Sequence, residues 1–241
     1  MKSYVGAIVL GLAGFASAAN AQDLNVQEVV VTGTRASLEQ NEFDDYDSDR
    51  PAVGLRRMAD FLVQQVAIRG DTRDEEQRSQ EIRAMLNDAV RLAGRHGVEL
   101  AFGEFILTPL TLDNVDELTL DQDNRPDSQR VTFLVKAKLG EGQTAAQAQD
   151  RIAAFIEAVP ENGRAQMDEW GEMSLSVVGP DSFRDQIITA IAEDANIQSA
   201  KLGAGYAVEI QGLNKPVQWA RSGLSEVLLS IPYSLKIMPR P

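Results

Sequence analysis

The side chains that most often carry catalysis or bind metal are scarce in this sequence. Among its 241 residues there is one histidine, His96, and no cysteine. Thiol enzymes, zinc–thiolate sites and multi-histidine metal centres are therefore excluded, and a Ser-His-Asp triad would depend on His96 alone. His96 stands between Arg95 and Gly97 at the predicted end of a helix, where a cation complements the helix dipole. We interpret it as a helix-terminal residue and not as a catalytic base.

Two acidic stretches partly match the pattern of a cation site. Residues 36–50 carry six carboxylates but no glycine, whereas a calcium loop needs oxygen ligands around a turning glycine. Residues 121–127 alternate acidic side chains, but Arg125 and Pro126 occupy positions where such a loop needs an oxygen and then a glycine. We interpret both stretches as solvated loops and predict no metal site.

Glu169 and Glu172 flank Trp170, and paired carboxylates can transfer protons to and from a substrate. In a chain with 36 acidic residues, however, such a pair arises readily by chance. No candidate nucleophile stands in a pattern that supplies its base. We predict no catalytic residue and no cofactor, with an unrecognised hydrolase as the remaining enzymatic alternative.

The charge and the apolar content set limits on the kind of protein. The chain carries 23 basic and 36 acidic side chains, for a formal net charge of −13. Nucleic-acid binding is disfavoured, because neutralising phosphates requires a positive surface. Hydrophobic residues make up 44% of the sequence, which is enough to build a folded core.

The first residues have the layout of a secretory signal peptide. Lys2 supplies the positive start, residues 5–16 are apolar, and Ala19-Asn-Ala21 is a small-x-small cleavage site. The apolar stretch is shorter than the roughly 20 residues of a membrane-spanning helix. Residues 1–21 are therefore predicted to be removed, and no later segment is apolar enough to span a bilayer. We expect a soluble protein exported to the periplasm.

The rest of the chain repeats one pattern: a strand, a capping sequence, an amphipathic helix and a glycine stop. Several of the strands alternate apolar and polar residues. Three such units are predicted, namely strand 61–69 with cap 72–75, strand 131–139 with cap 144–147, and strand 173–177 with cap 182–185. Alternating strands suit a sheet with one face covered by helices. The sequence therefore predicts an α+β fold, with mostly antiparallel sheets and three long helices packed on one face.

Two boundaries and one exposed strand complete the expected organisation. Residues 22–58 are predicted to hold a short strand and an acidic linker, and residues 59–241 the α+β domain. Residues 227–237 alternate strictly, and Pro232 inside them removes a backbone donor, which favours an edge strand or a bulge. Such an edge is a surface for self-association. Residues 212–223 are predicted to form the loop before this strand.

Most of the mature chain resembles the SIMPL-domain family of exported bacterial proteins. The resemblance lies in the strand-like run with Thr-Gly at 28–34, in the strand and first long helix at 61–97, and in the strand, Gly179-Pro-Asp turn and helix within 176–212. It implies an α+β protein that acts in the cell envelope by binding or self-assembly, in some members in connection with oxidative stress. The resemblance assigns no functional residue.

A second resemblance covers only Val29-Val-Val-Thr-Gly-Thr-Arg35, which looks like the start of a TonB-dependent receptor. There, a short box pairs as an added strand with TonB. The chain is too short for the membrane domain of such a receptor, so the alternative would be a TonB-coupled accessory protein. An exposed tryptophan can also mark a partner surface. The candidate partner-binding residues are Glu28, Val29, Val30, Val31, Thr32 and Trp219.

Overall fold

The computed structural model describes residues 27–31, 51–104, 106–140 and 142–240. The predicted signal peptide, Thr32 and the acidic stretch 36–50 lie outside these ranges. The strands are β1 (Glu28–Val31), β2 (Leu55–Met58), β3 (Phe61–Gly70), β4 (Val98–Phe102), β5 (Thr108–Pro109), β6 (Asp121–Gln122), β7 (Gln129–Lys138), β8 (Gln166–Glu169), β9 (Ser174–Val178), β10 (Tyr206–Gln211), β11 (Gln218–Arg221), β12 (Glu226–Ser230) and β13 (Ser234–Pro239). The α-helices are α1 (Glu75–Ala93), α2 (Ala145–Ala158) and α3 (Arg184–Leu202).

The main sheet is built around β3. Its strand order is β1-β9-β3-β7-β4-β5, with β6 added beside β7 and β8 beside β3. β3 pairs with β7 along all ten residues, and its other edge is shared by β9 at the first half and β8 at the second. All these ladders are antiparallel, as are those of the two smaller sheets, β10-β13 and β11-β12-β2. The prediction of a mixed α+β fold with mostly antiparallel sheets is confirmed.

The main sheet curves until its two ends nearly meet. On one side β1 pairs with β9, and on the other Val29 forms a bridge with Ile106 in the connection between β4 and β5. The amide of Leu107 donates to the carbonyl oxygen of Glu28 at 3.0 Å. β1 therefore has neighbours on both edges and nearly closes the sheet.

The helices differ in the surface that they cover. α1 and α2 both contact β3, β4 and β7 of the main sheet, and Leu86 and Phe155 are among the fully buried residues that they contribute. α3 instead contacts β10, and its Ile187 and Ile191 join the same core. Three helices were predicted, and the described ranges contain three α-helices, of which α1 and α2 share this face of the main sheet. Within the described ranges, no helix has the length and apolar character required to span a membrane.

The helix starts test the predicted capping sequences. At α2, Thr144 and Gln147 form the complete reciprocal capping box that was predicted. At α1 the prediction was wrong in its details. Asp74 is the N-cap and accepts from the amide of Gln77 at 2.8 Å, because the hydroxyl of Thr72 is used elsewhere.

The start of α3 also departs from the prediction of a cap at 182–185. A short 3₁₀ helix, Pro180–Phe183, leads directly into α3, and no side chain caps it. The hydroxyl of Ser182 donates backward to the carbonyl of Gly179 at 2.7 Å. The serine therefore stabilises the turn that enters the 3₁₀ helix instead of the α-helix.

The long alternation at 227–237 is two strands and not one, which corrects the prediction. β12 and β13 belong to different sheets, and the chain changes sheet across the segment that contains Pro232. β12 lies between β11 and β2, so it is not an edge strand. The predicted loop 212–223 contains β11, and Trp219 is therefore a strand residue. β1 and β2 both pair with strands from residues 59–241.

The close approach that helps to close the sheet requires a glycine at position 103. Gly103 has φ +120°, and a β-carbon there would overlap the carbonyl oxygen of Ile106. We expect Gly103→Ala to lower the free energy of unfolding by about 1–3 kcal/mol, measured by urea denaturation. Gly94→Ala is the matched control, because Gly94 has helical dihedral angles and open space around it. Equal unfolding midpoints for the two variants would contradict this account.

Candidate functional site

The register of the main sheet brings two arginines together. Arg69 on β3 lies directly opposite Arg130 on β7. Like charges directly opposite each other on a sheet are destabilising, so this pair needs compensating contacts. Those contacts come from Asp123 and Trp170, and the four residues are called the arginine cluster below.

Asp123 supplies the negative charge of the cluster. β6 pairs with the start of β7, which places Asp123 beside the two arginines. The side chain of Asp123 is only 6% exposed. One carboxylate oxygen accepts from Arg130 Nη1 at 2.8 Å, and the other lies 3.8 Å from Arg69 Nε. The turn is fixed by the amide of Asp123, which donates to the carbonyl oxygen of Ser128 at 3.0 Å.

Trp170 supplies an aromatic face. It lies where the chain passes from β8 to β9, held by a bond from its amide to the carbonyl oxygen of Gln65 at 2.8 Å. The guanidinium carbons of Arg69 and Arg130 lie 4.5 and 4.7 Å from the centre of its ring. Both cations thus lie within the range of cation–π attraction, and the ring fixes their positions.

The cluster contains more donors than protein acceptors. One carboxylate serves two guanidinium groups, and the Nε atoms of both Arg69 and Arg130 are buried without a hydrogen-bond partner among the described residues. A buried donor left without a partner costs about 1–3 kcal/mol. The cluster therefore retains positive charge and unused donors.

A cleft of about 480 Å³ opens beside the cluster. This volume lies within the usual range for small-molecule sites. Its lining residues are Arg69, Gly70, Asp71, Asp123, Asn124, Arg125, Ser128, Gly163, Arg164, Gln166 and Asp168. Three cationic and three anionic side chains are among them.

A second ion pair forms part of the wall of the cleft. Arg164 Nε and Nη2 donate to the two oxygens of Asp71 at 2.5 and 2.8 Å. The hydrogen bond from Arg164 lowers the pKa of Asp71, and the same contact raises the pKa of Arg164. Both charges of this wall are therefore fixed near neutral pH.

The turn that carries Arg164 is held by Glu81 on α1. The carboxylate accepts from the hydroxyl of Thr72 at 2.5 Å, from Gln77 Nε2 at 2.9 Å and from the amide of Arg164 at 3.1 Å. These hydrogen bonds lower the pKa of Glu81, and the bond from Thr72 has the largest effect. Gly163 has φ +58°, and a β-carbon there would overlap this carboxylate, so only glycine fits.

The predicted partner-binding residues lie within the fold where the structure describes them. Val29, Val30 and Val31 are buried, and Trp219 is half-buried with its Nε1 donating to the carbonyl oxygen of Val30 at 3.2 Å. Thr32 lies outside the described residues. Partner binding by these residues stays a prediction, and the fold gives them an internal role.

Glu28, also predicted to bind a partner, forms an internal ion pair. Its carboxylate contacts the ammonium of Lys136, whose side chain is 4% exposed, and accepts from the hydroxyl of Ser176 at 2.5 Å. Lys136 also lies 3.4 Å from Glu99 and over the ring of Phe61, 4.2 Å from its centre. These contacts fix β1 to the sheet from the face opposite the helices.

Two other residues with a possible role in chemistry, His96 and Asp123, contact neighbouring side chains of the fold. His96 ends a short 3₁₀ helix after α1, as expected, and packs edge-on against Phe155 with ring centres 6.0 Å apart. Asp123 pairs with arginines. Within the described ranges, no group of three histidine or acidic residues is arranged to hold a metal ion.

The arginine cluster was not predicted from the sequence. Arg69 ends a predicted strand and Arg130 precedes another, and nothing local indicates that they are opposite one another. In the sequence, Trp170 stands out only because Glu169 and Glu172 flank it. A proposed register between strands 61–69 and 131–139 would have been the only signal, because it places both arginines at the same end of the ladder.

No protein-family model, curated protein or solved structure matches this chain.

The low pKa values of Glu81 and Asp71 predict acid sensitivity. Because both pKa values are lower in the folded state than in the unfolded chain, the stabilisation is complete above about pH 5 and is lost as pH falls through the folded values. We expect the urea midpoint to fall between about pH 5 and pH 3. Glu81→Gln should flatten that fall, whereas Glu157→Gln, on the exposed surface of α2, should not. Parallel pH profiles for all three proteins would refute this role for Glu81.

The buried pair of Glu28 and Lys136 predicts a large effect of removing one partner. Lys136→Met leaves a buried carboxylate without its cation and should cost about 3 kcal/mol of unfolding free energy. Lys138→Met, exposed on the same strand, should cost little. Adding Glu28→Leu to Lys136→Met should recover part of the loss, since no uncompensated charge remains. Additive effects of the two substitutions would show that the pair is not coupled.

Proposed function

We propose that this chain is a periplasmic, non-enzymatic SIMPL-type protein that binds a small anionic ligand at the arginine cluster. The observation that carries this proposal is the shortage of acceptors there. The two guanidinium groups stacked on Trp170 share the carboxylate of Asp123, and Arg69 has no other acidic partner among the described residues. Arg69 lines the adjoining cleft, where a ligand can approach.

The chemistry of guanidinium favours an oxyanion. Its planar set of donors matches the two oxygens of a carboxylate or the oxygens of a phosphate, and ion-assisted bonds of this kind are the stronger ones. Binding is favoured over catalysis because the neighbouring charges are held in fixed pairs, Arg164 with Asp71 and Arg130 with Asp123. Such pairs stabilise a bound charge without transferring a proton.

The SIMPL assignment rests on the resemblance of three stretches of the sequence, whose strands lie side by side in the main sheet. Strand β1, from the first stretch, pairs with β9, which overlaps the start of the last one, and β3 of the middle stretch pairs with β9 as well. The periplasmic location depends on the predicted signal peptide. Engagement of TonB by the same N-terminal residues would require β1 to leave both of its neighbours.

Self-association is a second candidate function, favoured by one observation. Among the described strands, β13 pairs only with β10, so the two-stranded sheet keeps outer edges that another chain can extend. Light scattering across a range of concentrations tests this, and a constant monomer mass would reject it.

The binding proposal is tested by calorimetric titration of the purified protein with acetate, N-acetylalanine and inorganic phosphate at low ionic strength. We expect saturable binding of at least one anion, weakened at least tenfold by Arg69→Gln, which removes the cation and keeps a polar side chain. Arg91→Gln is the matched control, since Arg91 is exposed on α1 and pairs with Asp88 alone. If all the anions fail to bind, or if Arg69→Gln binds as the unchanged protein does, the proposal is wrong.

A further inference from the structure

We infer that the ligand of this cleft is a small zwitterion, whose carboxylate is bound by Arg69 and whose ammonium group faces Asp168. The inference rests on the proposed function, because it specifies the ligand of the same site. It is drawn from the charges that remain after the ion pairs of the cleft are assigned.

The charges in and beside the cleft are only partly paired. Arg164 is matched by Asp71 and Arg130, next to the cleft, by Asp123, each at hydrogen-bond distance. Arg125 also lines the cleft, is exposed and forms no ion pair with the described residues. Asp168 lines the same cleft, is exposed and forms no ion pair with the described residues. The site therefore offers an anionic group as well as a cation with free donors.

Asp168 and Arg69 lie close to each other on the main sheet. On the ladder of β3 and β8, Asp168 lies opposite Ala67 and Gln166 lies opposite Arg69. Side chains two positions apart on a strand share a face, so Asp168 and Arg69 are diagonal neighbours, with α-carbons about 7–8 Å apart. The cation and the anion thus border one side of the cleft.

This spacing lets both side chains reach one small molecule. Each ion-assisted contact spans about 2.8 Å between heavy atoms. A compact molecule that carries an ammonium and a carboxylate on one or two carbons could contact both side chains at once. An α-amino acid has this arrangement, and the cleft of about 480 Å³ leaves room for a side chain.

The carboxylates of the cleft disfavour more strongly charged anions. Three acidic side chains, Asp71, Asp123 and Asp168, line the cleft together with its three arginines. A dianion such as a phosphate monoester could contact Arg69 and Arg125, but it would also face these three carboxylates. A molecule without net charge satisfies Arg69 and Asp168 together.

Calorimetric titration of the full mature chain with four probes tests this inference. The probes are alanine, which carries both charges, N-acetylalanine, which keeps only the carboxylate, alaninamide, which keeps only the ammonium, and inorganic phosphate. We expect alanine to bind about tenfold more tightly than N-acetylalanine or phosphate, and alaninamide to bind most weakly.

Variants separate the two ends of the ligand. Asp168→Asn should remove the preference for alanine over N-acetylalanine and leave the affinity for N-acetylalanine within about twofold, whereas Arg69→Gln should weaken both at least tenfold. Glu169→Gln is the matched control, because its side chain is exposed on the same strand and points to the other face of the sheet.

The possible failures are distinguishable. If N-acetylalanine or phosphate binds as tightly as alanine, and Asp168→Asn changes nothing, the zwitterion inference is wrong while the anion-binding proposal stands. If no probe binds, or Arg69→Gln has no effect, both are wrong.

Discussion

The register between β3 and β7 is the constraint on which the rest of this structure depends. Ten consecutive pairs fix the two strands against each other. A slip by one residue would move every side chain of a strand to the opposite face. At one end of the ladder the register places Arg69 against Arg130, and near the other it places Val63 against Lys136. The candidate site and the buried ion pair therefore have a common origin.

The cationic side chains near the two ends of this ladder, Lys136 and Arg69, are compensated in different ways. Lys136 contacts the ring of Phe61 and the carboxylate of Glu28, which also accepts from the hydroxyl of Ser176, so its charge is compensated within the protein. The guanidinium group of Arg69 lies over the ring of Trp170 and near one oxygen of the Asp123 carboxylate, which also serves Arg130. Arg69 also lines the cleft. Since buried charges require compensation, the first arrangement is structural and the second is suited to a ligand.

The features that were predictable from the sequence are those set by neighbouring residues. The apolar spacing predicted the three helices, and the alternation of apolar and polar residues predicted β7 and β9. The Thr144 capping box depends only on residues three apart. The errors arose from distant contacts. Thr72 is drawn away from helix capping by Glu81, and the segment after residue 226 divides between two sheets with different partners. The arginine cluster joins four separate segments, so no local pattern indicates it.

The position of β1 has a consequence for the order in which the protein can fold. Glu28 and Ser176, which contact each other on β1 and β9, are separated by 148 positions. As the chain is made from its N-terminus, β1 emerges long before either neighbour, and β9 emerges only after α1, α2 and most of the main sheet. Joining such distant segments carries a large loop-closure entropy and slows folding. Until β9 has been made, β1 cannot complete its pairing, and the edge at the β4–β5 connection that it later covers stays open to pairing with other chains.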